Sequence, residues 1–446
     1  MKYLTVLHIG DIHYPEARNP LSSIDLKDRG LSDELVEVIA PRALTNVMEE
    51  VRRLLRNRNE IAGILLSGDL TSLSDIPEYH ACIAYLQRCF SDLPFWSAET
   101  LHVVPGNHDV ERWRVPVPGS ADSGDSLDKF RGIQSAWEEA GLPILPVDSV
   151  RRADFHKGDL YLAVFSINSC MGCGEYRRLP EVFQSAYLNL LNRLRESGVA
   201  DISEGTDLAG TGDDIKTVAT TLAEQLDTPA FDDRHLQEIT HALEETDPFS
   251  PAVILGHHGI LPQSIPRIAL YTEVINSGVA RFRLASARNP VIYCHGHIHQ
   301  DPVEVVSHPD TNGRPLVLVA APKLEDGFNL LTFSYTSGNL ILGCEVTRYT
   351  RRAYGAVQAS TPIRIPLGDR EAPEYSSDDV SVKIGSLLSP QYRRFQEVMK
   401  KVQQSIPAVT ETEVADRLLE LEWLGVVEIS GAGSDAKHWH IRRRVV

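Results

Sequence analysis

The sequence has 446 residues, of which 42% are hydrophobic, 24% charged and 7% aromatic, with a net charge of −17. This composition is typical of a soluble globular protein and excludes a disordered or fibrous one. The acidic excess disfavours indiscriminate nucleic-acid binding by the whole surface, since such binding depends on Lys and Arg. Residues 171–250 contain 16 acidic and 6 basic residues, so much of the negative charge lies in one segment that need not face a substrate.

The N-terminal segment is predicted to be a β-strand rather than a signal peptide, because Asp11 interrupts its apolar run. No stretch reaches the roughly 20 apolar residues of a membrane-spanning helix. We therefore expect a cytoplasmic protein that does not bind membranes. The six cysteines are scattered as expected for reduced thiols. Cys170-Met-Gly-Cys173 has metal-like or redox-like spacing, but no second Cys or His pair lies nearby in the sequence, so we interpret it as structural.

Apolar runs rich in branched residues predict strands that alternate with helical patterns. The strands are predicted at residues 3–9, 61–66, 100–104, 160–167, 252–255, 291–294 and 316–320. The helices between the first of them are predicted at 41–56 and 77–90. This alternation predicts an α/β fold with its functional loops at one edge of the sheets.

Two segments interrupt the pattern. Residues 171–231 contain a helical stretch at 179–195 and a Gly/Asp-rich loop, and we interpret them as an insertion or cap. Residues 114–141 are predicted to be a second, looser surface insertion.

The C-terminal part is predicted to form a separate small domain. Strands at 328–333 and 340–346 are predicted to pair and to close the main domain, residues 1–350. Residues 351–385 are interpreted as a linker, since the stretch from 364 to 379 is rich in Pro, Asp and Ser. Helical patterns at 390–404 and 411–424, followed by strands at 426–429 and 439–441, predict a winged-helix-like domain over residues 386–446.

Five short motifs each follow an apolar run, and in each a glycine precedes the first polar candidate, where the backbone must turn sharply. They are Asp11-Ile-His13, Gly68-Asp69, Gly106-Asn-His-Asp109, Gly256-His-His258 and Gly296-His-Ile-His299. Residues two apart in a strand or tight turn point to the same side, so the first motif can bind one metal through a carboxylate and an imidazole. Any single motif is more simply explained by a helix cap, a turn or a buried structural histidine. The five together predict a metal site.

The sequence resembles the calcineurin-like metallophosphoesterase superfamily over residues 1–350. The family pattern of DxH, GD, GNHD, a histidine after a strand and GHxH is matched in order by these motifs. The resemblance implies an α/β/β/α sandwich of four layers with the site at the ends of the two sheets. It also implies a centre of two divalent metal ions that cleaves phosphoesters.

The resemblance implies a role for each motif residue. The ligands of one ion would be Asp11, His13 and His299. Those of the second ion would be Asn107, His257 and His297, with Asp69 bridging the two. His108 would be the histidine that binds no metal and protonates the leaving oxygen or stabilises its charge. His258 is the alternative to His257, which comes first after the strand. Oxygen and nitrogen ligands without thiolates favour Mn²⁺, with Fe or Zn²⁺ as alternatives.

The substrate is less constrained by the sequence. The stretch that follows Gly68 lacks the GDxxDRG pattern of protein serine/threonine phosphatases. Residues 256–260 and the helix at 234–243 resemble both cyclic-nucleotide phosphodiesterases and nucleases that trim DNA ends with an ATPase partner. The winged-helix-like domain favours nucleic acid, so we expect a DNA nuclease-like phosphodiesterase. A cyclic-nucleotide phosphodiesterase or phosphomonoesterase is the alternative.

The charge of the C-terminal domain leaves a protein partner open as well. Its second helix carries an acidic face that would repel phosphates. That face comprises Glu411, Glu413, Asp416, Glu420 and Glu422, while basic residues gather on the ribbon at Lys437 and Arg442 to Arg444. The domain or the insertion could instead bind an ATPase or a second copy of the chain. The non-enzyme alternative is a scaffold protein that has no activity and recruits partners through the winged helix.

Overall fold

The structure is a computed structural model, which describes residues 1–14, 32, 34, 43–57, 61–72, 74–90, 97, 99–111, 127–173, 228–262, 273–300, 302–307, 315–352, 357–368, 379–432 and 434–444. The strands are β1 (Lys2–Ile9), β2 (Ile61–Leu66), β3 (Leu101–Val103), β4 (Arg151–Arg152), β5 (Phe155–Lys157), β6 (Leu160–Ser166), β7 (Ala252–Leu255), β8 (Val291–His295), β9 (Val303–Ser307), β10 (Pro315–Ala320), β11 (Gly327–Tyr335), β12 (Ile341–Arg351), β13 (Val357–Ala359), β14 (Ile363–Pro366), β15 (Arg393–Arg394), β16 (Val427–Ser430) and β17 (His440–Arg443). The helices are α1 (Ala43–Asn57), α2 (Ile76–Phe90), α3 (Arg131–Glu139), α4 (Asp233–Glu244), α5 (Ser277–Ala285), α6 (Asp379–Leu387), α7 (Phe395–Ser405) and α8 (Glu411–Trp423).

Two seven-stranded sheets form the larger part of the molecule. The first has the order β13-β12-β11-β1-β2-β3, with β14 also paired to β12, and its strands β1, β2 and β3 are parallel. The second has the order β4-β6-β7-β8-β10-β9, with β5 also paired to β6, and its strands β6, β7, β8 and β10 are parallel. The carboxyl ends of neighbouring parallel strands lie at the same edge of each sheet. Binding sites of α/β proteins are usually found at such an edge.

The core follows the two-residue period of the strands. In β1, Leu4 and Val6 belong to a buried cluster that draws on strands of both sheets, whereas Leu7 and Ile9 belong to one that includes α1, α2 and α3. A third cluster joins the second sheet to α4 and α5. The predicted α/β fold with several sheets is confirmed. Of the described helices, none is long and apolar enough to cross a membrane.

The interpretation of residues 114–141 as a loose surface insertion is wrong for the part that the structure describes. Residues 127–130 make a turn that leads into α3, and Phe130, Ile133 and Trp137 are at most 1% exposed. Their spacing of three and four places them on one helix face, which packs into the core. Within the other predicted insertion, residues 174–227, including the helix expected at 179–195, lie outside the described residues.

The predicted linker at 351–385 is also wrong in part. Residues 357–359 and 363–366 are the strands β13 and β14, which both pair with β12, and helix α6 begins at Asp379. The two strands are short and mostly exposed, so they lack the apolar runs from which strands are recognised. The predicted closing strands correspond to β11 and β12, which pair through a turn at Thr336.

The elements from α6 to β17, residues 379–444, are called the C-terminal module below. They follow the order helix, strand, helix, helix, strand, strand, and the sheet has the order β15-β17-β16. The module has its own buried cluster. It also contacts the first sheet: Trp423 lies against Gly343 of β12, and the amino group of Met1 is 2.7 Å from Asp416. The module is therefore packed onto the rest of the chain.

Candidate metal centre

All five motifs lie just beyond the carboxyl ends of parallel strands. The first three follow β1, β2 and β3 of the first sheet, and the last two follow β7 and β8 of the second. The backbone links the first two motifs, because the N–H of Asp11 donates to Gly68 and the N–H of His13 donates to Asp69. The two sheets thus place their functional loops side by side.

Asp69 lies at the middle of the site. Its Oδ2 is 3.6 Å from Nε2 of His13, and its Oδ1 is 3.4 Å from Nε2 of His257. The donor atoms of Asp11, His13 and Asp69 all lie within 4.8 Å of one another. The two oxygens of one carboxylate therefore face two different groups of side chains.

The remaining predicted ligands extend these two groups. Nε2 of His299 is 3.4 Å from Oδ1 of Asp11, and the amide oxygen of Asn107 is 3.0 Å from Nε2 of His257. The ring of His297 lies 5.3 Å from that of His257, and its backbone N–H donates to Asp11. The structure thus brings the seven residues singled out as ligands into one site.

The hydrogen bonds of two imidazoles indicate that a cation belongs between the side chains. Nδ1 of His257 is 2.7 Å from the carbonyl oxygen of Ser67, and Nδ1 of His299 is 2.7 Å from that of Ala321. A carbonyl only accepts, so in the neutral rings Nδ1 carries the proton and Nε2 presents a lone pair. These lone pairs point towards the carboxylates of Asp69 and Asp11. Lone pairs that converge on anionic oxygens fit a bound divalent metal, and the carbonyl contacts orient the rings as in known metal sites.

Electrostatics support the same conclusion. Burial alone lowers the pKa of His257, but the negative charge of Asp69 and their hydrogen bond reverse this effect and raise it to about 10. The carboxylate thus favours a positive charge at that nitrogen. Burial lowers the pKa of His13 to about 4 and that of His297 to about 3. Both rings are neutral near pH 7, the state in which imidazole binds a metal.

The backbone at the site is strained. Asp11, His13, Asp69 and His297 have φ values of 49°, 46°, 51° and 59°, a region that residues other than glycine rarely adopt. Such conformations cost about 1–3 kcal/mol each and persist where the surrounding structure imposes them, often at functional sites. This strain has no signal in the sequence.

His108 stands beside this cluster with its own support. Its backbone N–H donates to Oδ1 of Asp69 at 2.9 Å, its Nδ1 is 3.2 Å from the carbonyl oxygen of Ser72, and its ring lies 4.9 Å from that of His13. Because Nδ1 donates to a carbonyl, Nε2 is the nitrogen left to exchange a proton with a substrate. The ring is partly exposed, so a substrate can reach it.

Two further residues hold the site together and were not assigned a role from the sequence. The carboxylate of Asp109 accepts from the N–H groups of Leu70, Thr71 and Gly106, and so ties the second motif to the third. Ser169 accepts from the N–H groups of both His257 and His258. Ser169 also follows an apolar strand, β6, and that shared context is the signal that could have identified it.

An α/β fold with this donor set defines a metal-dependent hydrolase of the kind expected from the resemblance. A family model described as calcineurin-like phosphoesterase matches residues 4–301, more than half of the chain. The chain therefore belongs to the calcineurin-like phosphoesterase family, whose members depend on metals and typically hold two ions. It is a phosphoesterase-type hydrolase.

Several solved structures are similar to this chain at low identity. GAP50, described as the anchor in the inner membrane complex of Plasmodium, is 9% identical with a TM-score of 0.39, and the match covers 82% of this chain and 90% of that one. A putative 5′-nucleotidase from Staphylococcus aureus is 10% identical with a TM-score of 0.39, covering 90% and 58% of the respective chains. A 5′-nucleotidase precursor from Thermus thermophilus is 13% identical with a TM-score of 0.37, covering 91% and 59%. The chain thus spans less than two thirds of the length of these two nucleotidases. No curated protein sequence matches it.

Proposed function

We propose that this protein is a metal-dependent phosphodiester hydrolase that acts on nucleic acid. The observation that carries the hydrolase part is the position of Asp69, whose two oxygens face His13 on one side and His257 on the other. We assign Asp69 as the bridging ligand of two divalent ions, with Mn²⁺ as the metal we expect. When bound, a pair of such ions can activate a water and stabilise the attacking and leaving oxygens of a phosphoryl group.

The chain's own residues would then have distinct tasks. Asp11 and Asp69 keep their charge against the effect of burial. His299 holds the pKa of Asp11 at about 2, and His257 holds the pKa of Asp69 well below its usual value. His13 and His299 are 18% and 19% exposed, so the substrate enters from their side of the site. His108 would place its Nε2 near the phosphoryl oxygens and donate a proton to the leaving oxygen, which typically contributes about 10²–10⁴ in rate.

The C-terminal module supports nucleic acid as the substrate class. We interpret its element order as that of a winged helix, and we place the end of the phosphoesterase domain at β14 rather than at residue 350. Two carboxylates of the acidic face of α8, which argued against phosphate binding, are used within the chain. Asp416 pairs with the amino group of Met1, and Glu422 is 3.0 Å from Arg364. Those carboxylates are engaged with the first sheet and need not repel a polyanion.

The basic residues of the ribbon divide into two kinds. Lys437 lies 2.7 Å from Asp435, and Arg442 lies 2.7 Å from Glu428, so both are paired. Arg443 and Arg444 are both exposed, and within the described part of the chain neither takes part in a salt bridge, although the charge of Glu428 acts on Arg444. We therefore assign the phosphate contacts of the module to these two arginines.

A panel of substrates tests the proposed activity. Purified full-length protein with added Mn²⁺ should hydrolyse single- or double-stranded DNA or RNA and a generic phosphodiester faster than a phosphomonoester. Hydrolysis of a cyclic nucleotide alone would replace the nucleic-acid proposal with a cyclic-nucleotide phosphodiesterase. Hydrolysis of monoesters alone would contradict the diesterase proposal.

Variants test the assigned residues. His108→Ala should lower kcat by about 10²–10⁴ while the metal content stays unchanged, because the ring is expected to touch substrate but no metal. Asp69→Asn should lower both activity and bound metal. His80→Ala, at a histidine side chain that is 49% exposed, is the control and should keep full activity. Full activity in His108→Ala would disprove the proposed proton transfer.

Charge reversal tests the nucleic-acid contacts. The double variant Arg443→Glu/Arg444→Glu should weaken DNA binding and reduce its salt dependence, with unchanged hydrolysis of a small phosphodiester. Arg131→Glu/Arg234→Glu, at side chains 68% and 74% exposed, makes the same change of charge elsewhere and should bind normally. Equal binding by both double variants would argue that the module serves another purpose, such as docking a protein partner.

A further inference from the structure

A second group of potential metal ligands lies behind the proposed dinuclear centre. Cys170 and Cys173 are held on a turn that follows β6, in which the N–H of Cys173 donates to the carbonyl of Cys170 at 3.0 Å. His258 comes from the loop after β7, and its Nδ1 is 3.9 Å from Sγ of Cys170. The donor atoms of these three residues all lie within 4.8 Å of one another, and none of the residues is more than 1% exposed.

The fold supplies the third ligand that the sequence around the cysteines lacks. Strands β6 and β7 are parallel neighbours with Ser166 opposite Leu255, so the loops that follow them meet. Ser169 strengthens this contact, because its Oγ accepts from the N–H groups of His257 and His258. The strand pairing and the Ser169 hydroxyl thus hold the two loops together without using the cysteine side chains.

The charge around the turn suits thiolates. The side chain of Lys129 is 1% exposed, and its ammonium donates to the carbonyl oxygens of Met171 and Cys173 at 2.6 and 3.0 Å. A buried cation is costly unless negative groups lie near it. Two metal-bound thiolates at this turn would place negative charge near the ammonium of Lys129.

We propose that Cys170, Cys173 and His258 bind one Zn²⁺ ion, at a site that adjoins the proposed dinuclear centre, since the ring of His258 lies 4.5 Å from that of His297. Two thiolates and an imidazole are a typical zinc donor set, whereas the carboxylate, amide and imidazole donors of the other site suit harder ions. In a tetrahedral zinc site, sulfur and nitrogen ligands stand about 3.5 Å apart, so the observed 3.9 Å requires only a small adjustment.

Binding would change few contacts. The two thiols would lose their protons to solvent and form two Zn–S bonds, and Cys170 would give up its contact with the carbonyl of Pro105 at 3.4 Å. Nδ1 of His258 would exchange its contact with the Ser169 hydroxyl, at 3.0 Å, for the metal. The ion would clamp the loop after β6 to the loop that carries His257. Its role would therefore be to position a residue of the dinuclear centre.

Cobalt substitution tests this site without relying on activity. Thiolate ligands of Co²⁺ give an intense charge-transfer absorption in the near ultraviolet that oxygen and nitrogen ligands do not. The full-length wild-type protein loaded with Co²⁺ should show this band, and Cys82→Ser/Cys89→Ser, which alters two other buried cysteines, should keep it. Cys170→Ser/Cys173→Ser should lose the band and about one equivalent of bound Zn²⁺ by elemental analysis.

The spectrum of the wild-type protein can disprove the proposal even if none of the variants folds. Absence of the thiolate band in the wild-type protein would disprove the site, as would a band that survives in Cys170→Ser/Cys173→Ser. An unchanged spectrum in His258→Gln would exclude His258 as a ligand. Asp69→Asn should abolish hydrolysis but retain the thiolate band, so failure of the zinc site and failure of the proposed function are distinguishable.

Discussion

The carboxylate of Asp69 accepts a hydrogen bond from the backbone N–H of His108 at 2.9 Å. The residue proposed to bridge two metals and the residue proposed to deliver a proton are thereby joined through one short contact. Any change that moves Asp69 should also move His108, because the two loops share this bond and the contacts of Asp109. A change that disturbs the hydrogen bond between Asp69 and the backbone of His108 is therefore expected to reduce both metal binding and catalysis.

A substitution at Gly106 tests this link between Asp69 and His108 directly. A Cβ atom at this position would overlap both the carboxylate and the backbone nitrogen of Asp69. Gly106→Ala should therefore displace the bridging carboxylate, lower bound metal and reduce activity by about 100-fold, the usual cost of misplacing a catalytic group by about 1 Å. Elemental analysis and phosphodiester hydrolysis measure the two effects. Gly278→Ala is the control, since a Cβ there meets no atom within 4 Å.

The carboxylate of Asp109 should stabilise the folded protein and position the loop that carries His108. In Asp109→Asn, an amide nitrogen replaces one of the two carboxylate oxygens and cannot accept a hydrogen bond. The backbone N–H groups on that side would lose their acceptor. Unpaired buried donors cost about 1–3 kcal/mol each, and we expect a loss of that order in the free energy of unfolding. Urea unfolding measures this loss, and kcat should fall as well, because the loop of His108 loses its anchor. Unchanged stability would show that the carboxylate contacts contribute little.

His102 should make stability depend on pH. It is fully buried, it contacts Ser166 and Ala153 near β6, and burial together with the charge of Arg151 lowers its pKa to about 3. The unfolded chain, with a histidine pKa of about 6.5, then binds more protons below pH 6.5. The stabilisation is complete above pH 6.5 and is lost as the pH falls towards 3.

The size of that effect follows from the pKa difference. Between pH 7.5 and 5, His102 should reduce the free energy of unfolding by about 2 kcal/mol, since one pKa unit corresponds to about 1.4 kcal/mol. Urea unfolding of the wild type and of His102→Gln at both pH values measures it. The other histidines are present in both proteins, so a difference in pH dependence is due to His102. If the free energy of unfolding changes with pH equally in the wild type and in His102→Gln, the prediction is contradicted.

Trp423 should anchor the C-terminal module. Its ring lies against Gly343, and the guanidinium of Arg364 stands 5.4 Å from its centroid. Trp423→Ala removes this contact and should cost about 3 kcal/mol. A separate, earlier unfolding transition of the module, detected by circular dichroism, is the expected signature. Ile144→Ala, at a residue that is 73% exposed, should leave unfolding unchanged.

The fold class could be predicted, and the candidate ligands could be singled out, because their signals are local. Each candidate ligand follows a strand whose apolar residues are visible as a short run, and the glycine before it marks the turn. The linker at 351–385 and the surface insertion at 114–141 were mispredicted for the converse reason. The strands β13 and β14 have few apolar residues, and the buried face of α3 lies within a segment dominated by polar residues and turns.

The sequence by itself determined which residues could hold metal, because residue type and position after a strand are properties of the chain. Only the tertiary structure decided which of them meet. Asp11 contacts the backbone of His297 across 286 residues, and His258 reaches Cys170 because β7 lies beside β6. Strand order and the packing of one sheet on another depend on many distant contacts at once. No local pattern carries that information, and so the anchor at Asp109 and the group around His258 emerged only from the fold.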